Sequence, residues 1–195
     1  MINKIGEIVE STSTEFTAEC YELNTIPSLG SLVKVTESSL EIFGIVCQSG
    51  TAGIEPGRRP VARGKDEKSE EAVYQSSPQL LKLLRSEFQV LIVGFKTGEK
   101  IYQYLPPQPA HIHAFVHVCS PEEIKQFSQS FDFLSILVNN RLQMPVEELV
   151  AATLREMSKA QSDPRSFLVT AGKTLTAMLS GDYRRLKTIL ARLKQ

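Results

Sequence analysis

The sequence predicts an α+β protein, with a closed β domain of about six short strands ahead of a C-terminal α-helical region. Three observations predict it. Apolar residues recur with a period of about two up to residue 118, and with a period of about 3.6 beyond it. Glycine-marked bends separate the early segments, whereas Ser-Pro and Asp-Pro starts punctuate the late ones. Charge is split in the same sense: residues 1–50 carry two basic and seven acidic side chains, and residues 151–195 carry nine and three. The formal net charge of zero is therefore a cancellation between an acidic start and a basic end.

The strands follow in order. Residues 5–9 and 15–21 alternate polar with apolar side chains, as half-buried strands do. Residues 32–35 form a third candidate after the turn signal Pro27-Ser28-Leu29-Gly30. Residues 40–47 form a fourth, in which Gly44 predicts a bulge or bend. Residues 87–95 are the fifth, Lys96-Thr97-Gly98-Glu99 is a turn, and residues 101–105 are the sixth. Short strands with such bends favour a closed barrel or a sandwich. Residues 48–78 break the pattern with Gly50, Gly53, Gly57, Gly64, Pro56, Pro60 and Pro78, and read as a long insertion. Residues 78–84 read as a short helix returning from it. Pro106, Pro107 and Pro109 cannot donate to a sheet and are expected to close the β-rich part.

Ser120-Pro121-Glu122-Glu123 is a capping box with proline at the first helical position. One helix is expected to run from there to about Val138, with Ile124, Phe127, Phe131, Leu134 and Leu137 on one face. Val146, Leu149, Val150, Leu154 and Met157 make the stripe of a second helix. Asp163-Pro164 starts a third, which Gly181 stops, and Asp182 caps a fourth. The last helix is expected to bury Tyr183, Leu186, Ile189, Leu190 and Leu193 and to show Arg184, Arg185, Lys187, Arg192 and Lys194.

Composition bounds the function. A hydrophobic fraction of 42% supplies a core and excludes a wholly disordered chain. Zero net charge excludes a strongly basic nucleic-acid protein at the level of the whole chain. No apolar run approaches the ~18 residues of a membrane span, and the first residues lack the features of a signal peptide. Cys20, Cys47 and Cys119 are widely spaced without a CxxC pair, so reduced thiols in a cytoplasmic protein are expected.

Few residues suggest chemistry. Gly172-Lys173-Thr174 ends like a phosphate-binding loop, but Phe167 stands where the first glycine is required and Asp163-Pro164 starts a helix where a strand should precede. His111, His113 and His117 would share one face of an extended segment together with Phe115, with no neighbouring carboxylate to orient them. No metal or cofactor is therefore expected, and no catalytic residue is assigned. Arg58, Arg59 and Arg63 make a basic loop suited to carboxylate or phosphate, and are the candidate partner-binding residues. Arg184, Arg185 and Lys187 are candidate nucleic-acid contacts. As exposed charges, they are expected to be replaceable by alanine with little effect on stability.

The strand series also carries a resemblance. Ile5-Gly6-Glu7-Ile8-Val9 followed by Ser11-Thr12-Ser13-Thr14-Glu15-Phe16 resembles the opening of the HAS-barrel family, the N-terminal β-barrel of HerA-type DNA-translocating ATPases, related to the N-terminal barrel of ATP synthase catalytic subunits. The likeness continues through Arg58-Arg59-Pro60, Pro78-Gln79-Leu80, Arg85-Ser86-Glu87-Phe88 and Gln103-Tyr104-Leu105-Pro106-Pro107-Gln108-Pro109 to Phe131-Asp132-Phe133-Leu134, and so covers residues 4–135. It implies a closed barrel, here over residues 1–118; the insertion at 48–78 and the helical region over 119–195 are read from the residues themselves. In that family a RecA-like ATPase with a P-loop and a magnesium-binding carboxylate follows the barrel. Here the last 60 or so residues read as helices, so no catalytic role carries over. The family's barrels line a ring of subunits and dock a nuclease. The resemblance therefore implies a non-catalytic assembly or docking module, with a protein partner such as an ATPase or nuclease, self-association into a homo-oligomer, at most weak nucleic-acid contact and no membrane. The alternative is direct nucleic-acid binding through the basic loop and last helix.

Overall fold

Strands β1 (Lys4–Ser11), β2 (Glu15–Cys20), β3 (Leu32–Glu37), β4 (Leu40–Gly53), β5 (Leu84–Thr97), β6 (Lys100–Tyr102) and β7 (Phe115–Val118) form one antiparallel sheet in the order β2-β1-β7-β3-β4-β5-β6. This computed structural model describes residues 4–193 except 38, 56, 58 and 142. Pairing of β2 with β5, from Glu15 opposite Leu91 to Glu19 opposite Glu87, closes six strands into a barrel. Strand β6 stays outside the ring, attached to β5. Ile8, Phe16, Val33, Val35, Ile42, Val46, Phe88, Val90, Ile92 and Val116 pack together inside. The register shift between Phe43 and Gly44 is the bulge that Gly44 predicts, and a Cβ there would fall 2.2 Å from Val90 Cγ1.

The α+β class and the six-stranded closure agree with the sequence, but three elements differ. The sixth ring strand is β7, after the prolines, and not residues 101–105. Strand β7 has four residues and buries only Val116 fully, too short a pattern to declare itself. The insertion is narrower than 48–78, because residues 48–53 continue β4 and pair with residues 84–89 of β5. That ribbon is polar and held by side chains: Asn24 N–H donates to Ser86 Oγ (2.8 Å), Thr51 Oγ1 donates to Asn24 Oδ1 (3.0 Å), and the Thr51 and Ser86 hydroxyls lie 2.7 Å apart. Between the strands lie helices α1 (Glu70–Ser76) and α2 (Leu80–Leu83).

The expected helix over 120–138 is two helices, α3 (Pro121–Phe127) and α4 (Leu134–Asn139). The capping box at Ser120 and Glu123 is present at the start of α3. Gln103 occupies the break: Nε2 donates to the carbonyls of Phe127 (2.6 Å) and Ser130 (3.1 Å), and Oε1 accepts from Phe133 N–H (3.1 Å). One side chain thus satisfies backbone groups that a continuous helix would have paired internally.

Helices α5 (Val146–Ser158), α6 (Pro164–Met178) and α7 (Tyr183–Leu193) complete the chain. Leu32, Phe43, Ile45, Leu91 and Val93 on the outer face of β3, β4 and β5 join one apolar cluster with residues of all five C-terminal helices. Phe127 sits 5.2 Å from Phe43 and 5.4 Å from Phe133 between ring centroids. Gly30, at φ +84°, lets the turn before β3 touch α5, where a Cβ would lie 2.5 Å from Thr153 N. On the same side the Lys34 ammonium pairs with Glu123 and lies 3.7 Å from Glu41. Burial opposes the charge of Glu123, but the Lys34 ammonium and Ser120 N–H outweigh it and hold the carboxyl below the usual range.

Two tests follow from these contacts. Gly30→Ala combines a left-handed backbone with a clash on the α5 backbone and is expected to lower stability by about 2–4 kcal/mol in urea unfolding. An unchanged midpoint would mean the turn does not seat on α5. Glu123→Gln is expected to cost about 1.5–3 kcal/mol near neutral pH. Because the folded carboxyl has the lower pKa, its contribution is complete above the unfolded value and is lost as pH falls through the folded one. The gap between the two proteins is therefore expected to shrink below about pH 4, and a gap independent of pH would contradict the pairing.

Candidate interaction surfaces

The basic loop reaches the surface as part of a shallow groove. Residue Arg58 lies outside the described residues. Arg59 and Arg63 are exposed and, with Ile54, Val61, Leu80 and Leu83, line a cavity of about 90 Å³ beyond the ends of β4 and β5. Ile54 N–H donates to the Leu83 carbonyl (3.0 Å), which extends the ribbon and brings the loop against α2. Val61 is 76% exposed and Ile54, Leu81 and Leu83 are exposed with it, so this arginine-rimmed segment presents apolar side chains to solvent. The sequence marked the arginines but not the apolar residues between them, because isolated Ile, Val and Leu in a loop carry no periodicity.

The C-terminal candidates divide. Arg184 and Lys187 are exposed, whereas Arg185 turns inward. Its Nε lies 2.7 Å from Glu147 Oε1, and Nη2 donates to the Val138 carbonyl at 2.8 Å. Arg192 pairs with Glu148, and Arg155 donates to the Arg192 carbonyl at 2.8 Å. The acidic first turn of α5 therefore fixes α7, and Arg185, foremost among its neighbours, holds the Glu147 carboxyl below the usual range. Arg185 and Arg192 are thus not part of a free basic face. Tyr183 and Leu190, expected in the core, are instead 75% and 37% exposed.

The histidine row does not form. His111 and His113 lie in a turn before β7, with His113 at φ 68°, and only His117 is in the strand. The carboxylates that the local sequence lacks come from distant strands. Glu7 Oε1 is 2.8 Å from His113 Nδ1, while Glu37 Oε2 is 3.4 Å from His111 Nδ1 and its Oε1 accepts from His111 N–H at 2.6 Å. Tyr21 also donates to Glu7 (3.0 Å), so its carboxyl, held chiefly by His113, sits below the usual range. Among the described residues no group of three or more His, Cys, Asp or Glu side chains could hold a metal ion. The thiols are buried, and desolvation pushes Cys20 and Cys47 up to about 11 and Cys119 upward as well. Gly172, Lys173 and Thr174 lie inside α6, where Phe167 is buried against Phe131 at 5.2 Å. No helix among the described residues is long and apolar enough to cross a membrane.

No family model matches the chain, and no curated protein matches its sequence.

The division of the basic residues is directly measurable. Arg184→Ala and Lys187→Ala are expected to change stability by no more than about 0.5 kcal/mol, whereas Arg185→Ala is expected to cost about 1.5–3 kcal/mol through its charged hydrogen bonds. Equal effects in urea unfolding would contradict the inward placement of Arg185.

Proposed function

We propose that the chain is a non-catalytic docking module that binds a protein partner, in keeping with the assembly role that the HAS-barrel resemblance implies. The observation that carries this reading is the exposed apolar groove around Ile54, Val61 and Leu83, rimmed by Arg59 and Arg63. A partner segment with apolar side chains would fill the groove while its carboxylates take the arginine forks. The rest of the barrel supports such a role. Its interior is occupied by packed side chains, and its thiols are held in the unreactive protonated form. The partner we favour is an ATPase or nuclease of nucleic-acid processing, with a cytoplasmic setting; self-association is a second form that assembly could take.

A second reading, direct nucleic-acid binding, rests on the exposed Arg184 and Lys187. Few cations on one face release few counterions, so such binding would be weak and steeply salt-dependent.

The two readings separate experimentally. The tagged chain, purified from its native cell, is expected to carry a stoichiometric partner that Arg59→Glu/Arg63→Glu loses without a change in thermal midpoint. Fluorescence anisotropy is expected to show no duplex or single-strand binding tighter than about micromolar near ~150 mM salt. Retention of the partner by the double variant would sink the groove as the docking site. Nanomolar DNA binding abolished by Arg184→Ala/Lys187→Ala would establish the second reading instead.

A further inference from the structure

Helices α6 and α7 border an open groove of about 920 Å³, beside the core that holds Phe167, Ala171 and Leu175 of α6 and Leu193 of α7. Arg165, Leu168, Val169, Gly172 and Lys173 of α6 line one side, and Leu190 of α7 lines the other. Arg165, Val169, Gly172 and Thr176 are spaced four, three and four apart, so they form one stripe along the helix. Val169 is 52% exposed, and Leu190 is exposed where the amphipathic pattern would bury it. Gly172 lies on the floor facing Leu190, whose Cδ2 a Cβ there would meet in ordinary van der Waals contact at 3.4 Å. The glycine and lysine that mimic a phosphate loop thus have another place: one forms the floor of an apolar groove and the other its rim.

The charged residues that line this groove, Arg165 and Lys173, are both cationic. Neither α6 nor α7 contains an acidic residue. The flanking acids are engaged in capping: Asp163 accepts from Ser166 N–H (3.0 Å) and Asp182 from Arg185 N–H (3.1 Å). Arg165, Lys173 and Lys187 have no ion-pair partner among the described residues, in contrast to Arg185 and Arg192.

We propose that the α6–α7 groove is a second docking site, separate from the loop groove, and that it takes an acidic amphipathic helix of a partner protein. The walls are helices whose backbone groups are used internally, so they offer no edge to an extended strand. A helix satisfies its own backbone and needs only an apolar stripe. From Arg165 to Thr176 the channel runs about 16 Å, the length of three helical turns. The partner's leucine-like face would cover Val169, Leu168 and Leu190, and its flanking carboxylates would meet Arg165 and Lys173. The groove lining holds no aromatic side chain on which a base could stack.

The test selects a display library on the intact chain. Its members are amphipathic helices of 15 residues, the length of α6, with leucines fixed on one face and all other positions drawn equally from Glu, Lys and Gln. Enriched peptides are expected to favour Glu over Lys. Their affinity is expected to fall by about tenfold or more in Val169→Glu/Lys173→Glu, which should fold normally because both side chains are exposed. Gly172→Leu fills the groove without changing charge and is expected to weaken binding as strongly, whereas Arg59→Glu/Arg63→Glu is expected to leave it intact. Absence of enrichment, enrichment of Lys, or binding indifferent to both α6 variants overturns the proposal. Displacement of the selected peptide by duplex DNA or anionic vesicles at lower concentration does so too, by giving the groove to another class of ligand.

Discussion

Strands β4 and β5 are buried on both faces, and the rest of the molecule is arranged around that constraint. Ile42 to Cys47 and Val90 to Val93 include no exposed residue. Their inward side chains fill the barrel, and their outward ones, Phe43, Ile45, Cys47, Leu91 and Val93, lie beneath the helices. An antiparallel barrel standing alone would show water a polar outer face. Here the outer wall around Leu32, Phe43, Ile45, Leu91 and Val93 is apolar, so removing the helices would expose a large hydrophobic patch. At about 25 cal/mol per Å² of apolar area, that wall is a principal reason why the helices stay docked.

Double burial also determines where the contacts of high specificity occur. Gly30 brings a barrel turn onto the backbone of α5, and Lys34 reaches the N-terminal turn of α3. Gln103 closes the gap between α3 and α4. The acidic start of α5 then holds α7 through Glu147 with Arg185 and Glu148 with Arg192. Each of these links joins elements far apart in the chain, and together they orient the helical layer that hydrophobic burial alone would leave free to slide.

Among the described residues, the opposite half of the barrel wall, formed by β1, β2 and β7, contributes no buried side chain to the apolar cluster beneath the helices. Glu7 and Glu19 face one another across β1 and β2, and Glu19 faces Glu87 across β2 and β5. Like charges in register are unfavourable, and the fold offsets two of them locally: His113 and Tyr21 meet Glu7, and Arg85 lies 3.1 Å from Glu87. Acidic barrel wall, arginine-rimmed loop groove and basic helical groove are thus three separate surfaces, which agrees with the uneven distribution of charge along the chain.

The sequence by itself determined the fold class, five of the six ring strands, the bulge at Gly44 and the starts of α3 and α6. These depend on local periodicity and capping, which are properties of neighbouring residues. The tertiary structure alone decided the rest. The four residues of β7 become a ring strand only because β1 and β3 stand ready on either side. The break after Phe127 depends on Gln103, some 24 residues earlier. Arg185 and Lys187 look alike in sequence, yet only Arg185 meets a carboxylate, because α5 lies on one side of α7 and solvent on the other. Val61 in its loop and Leu190 on its helix became exposed apolar surface through what does not pack against them, and the absence of a neighbour is written nowhere in the local sequence.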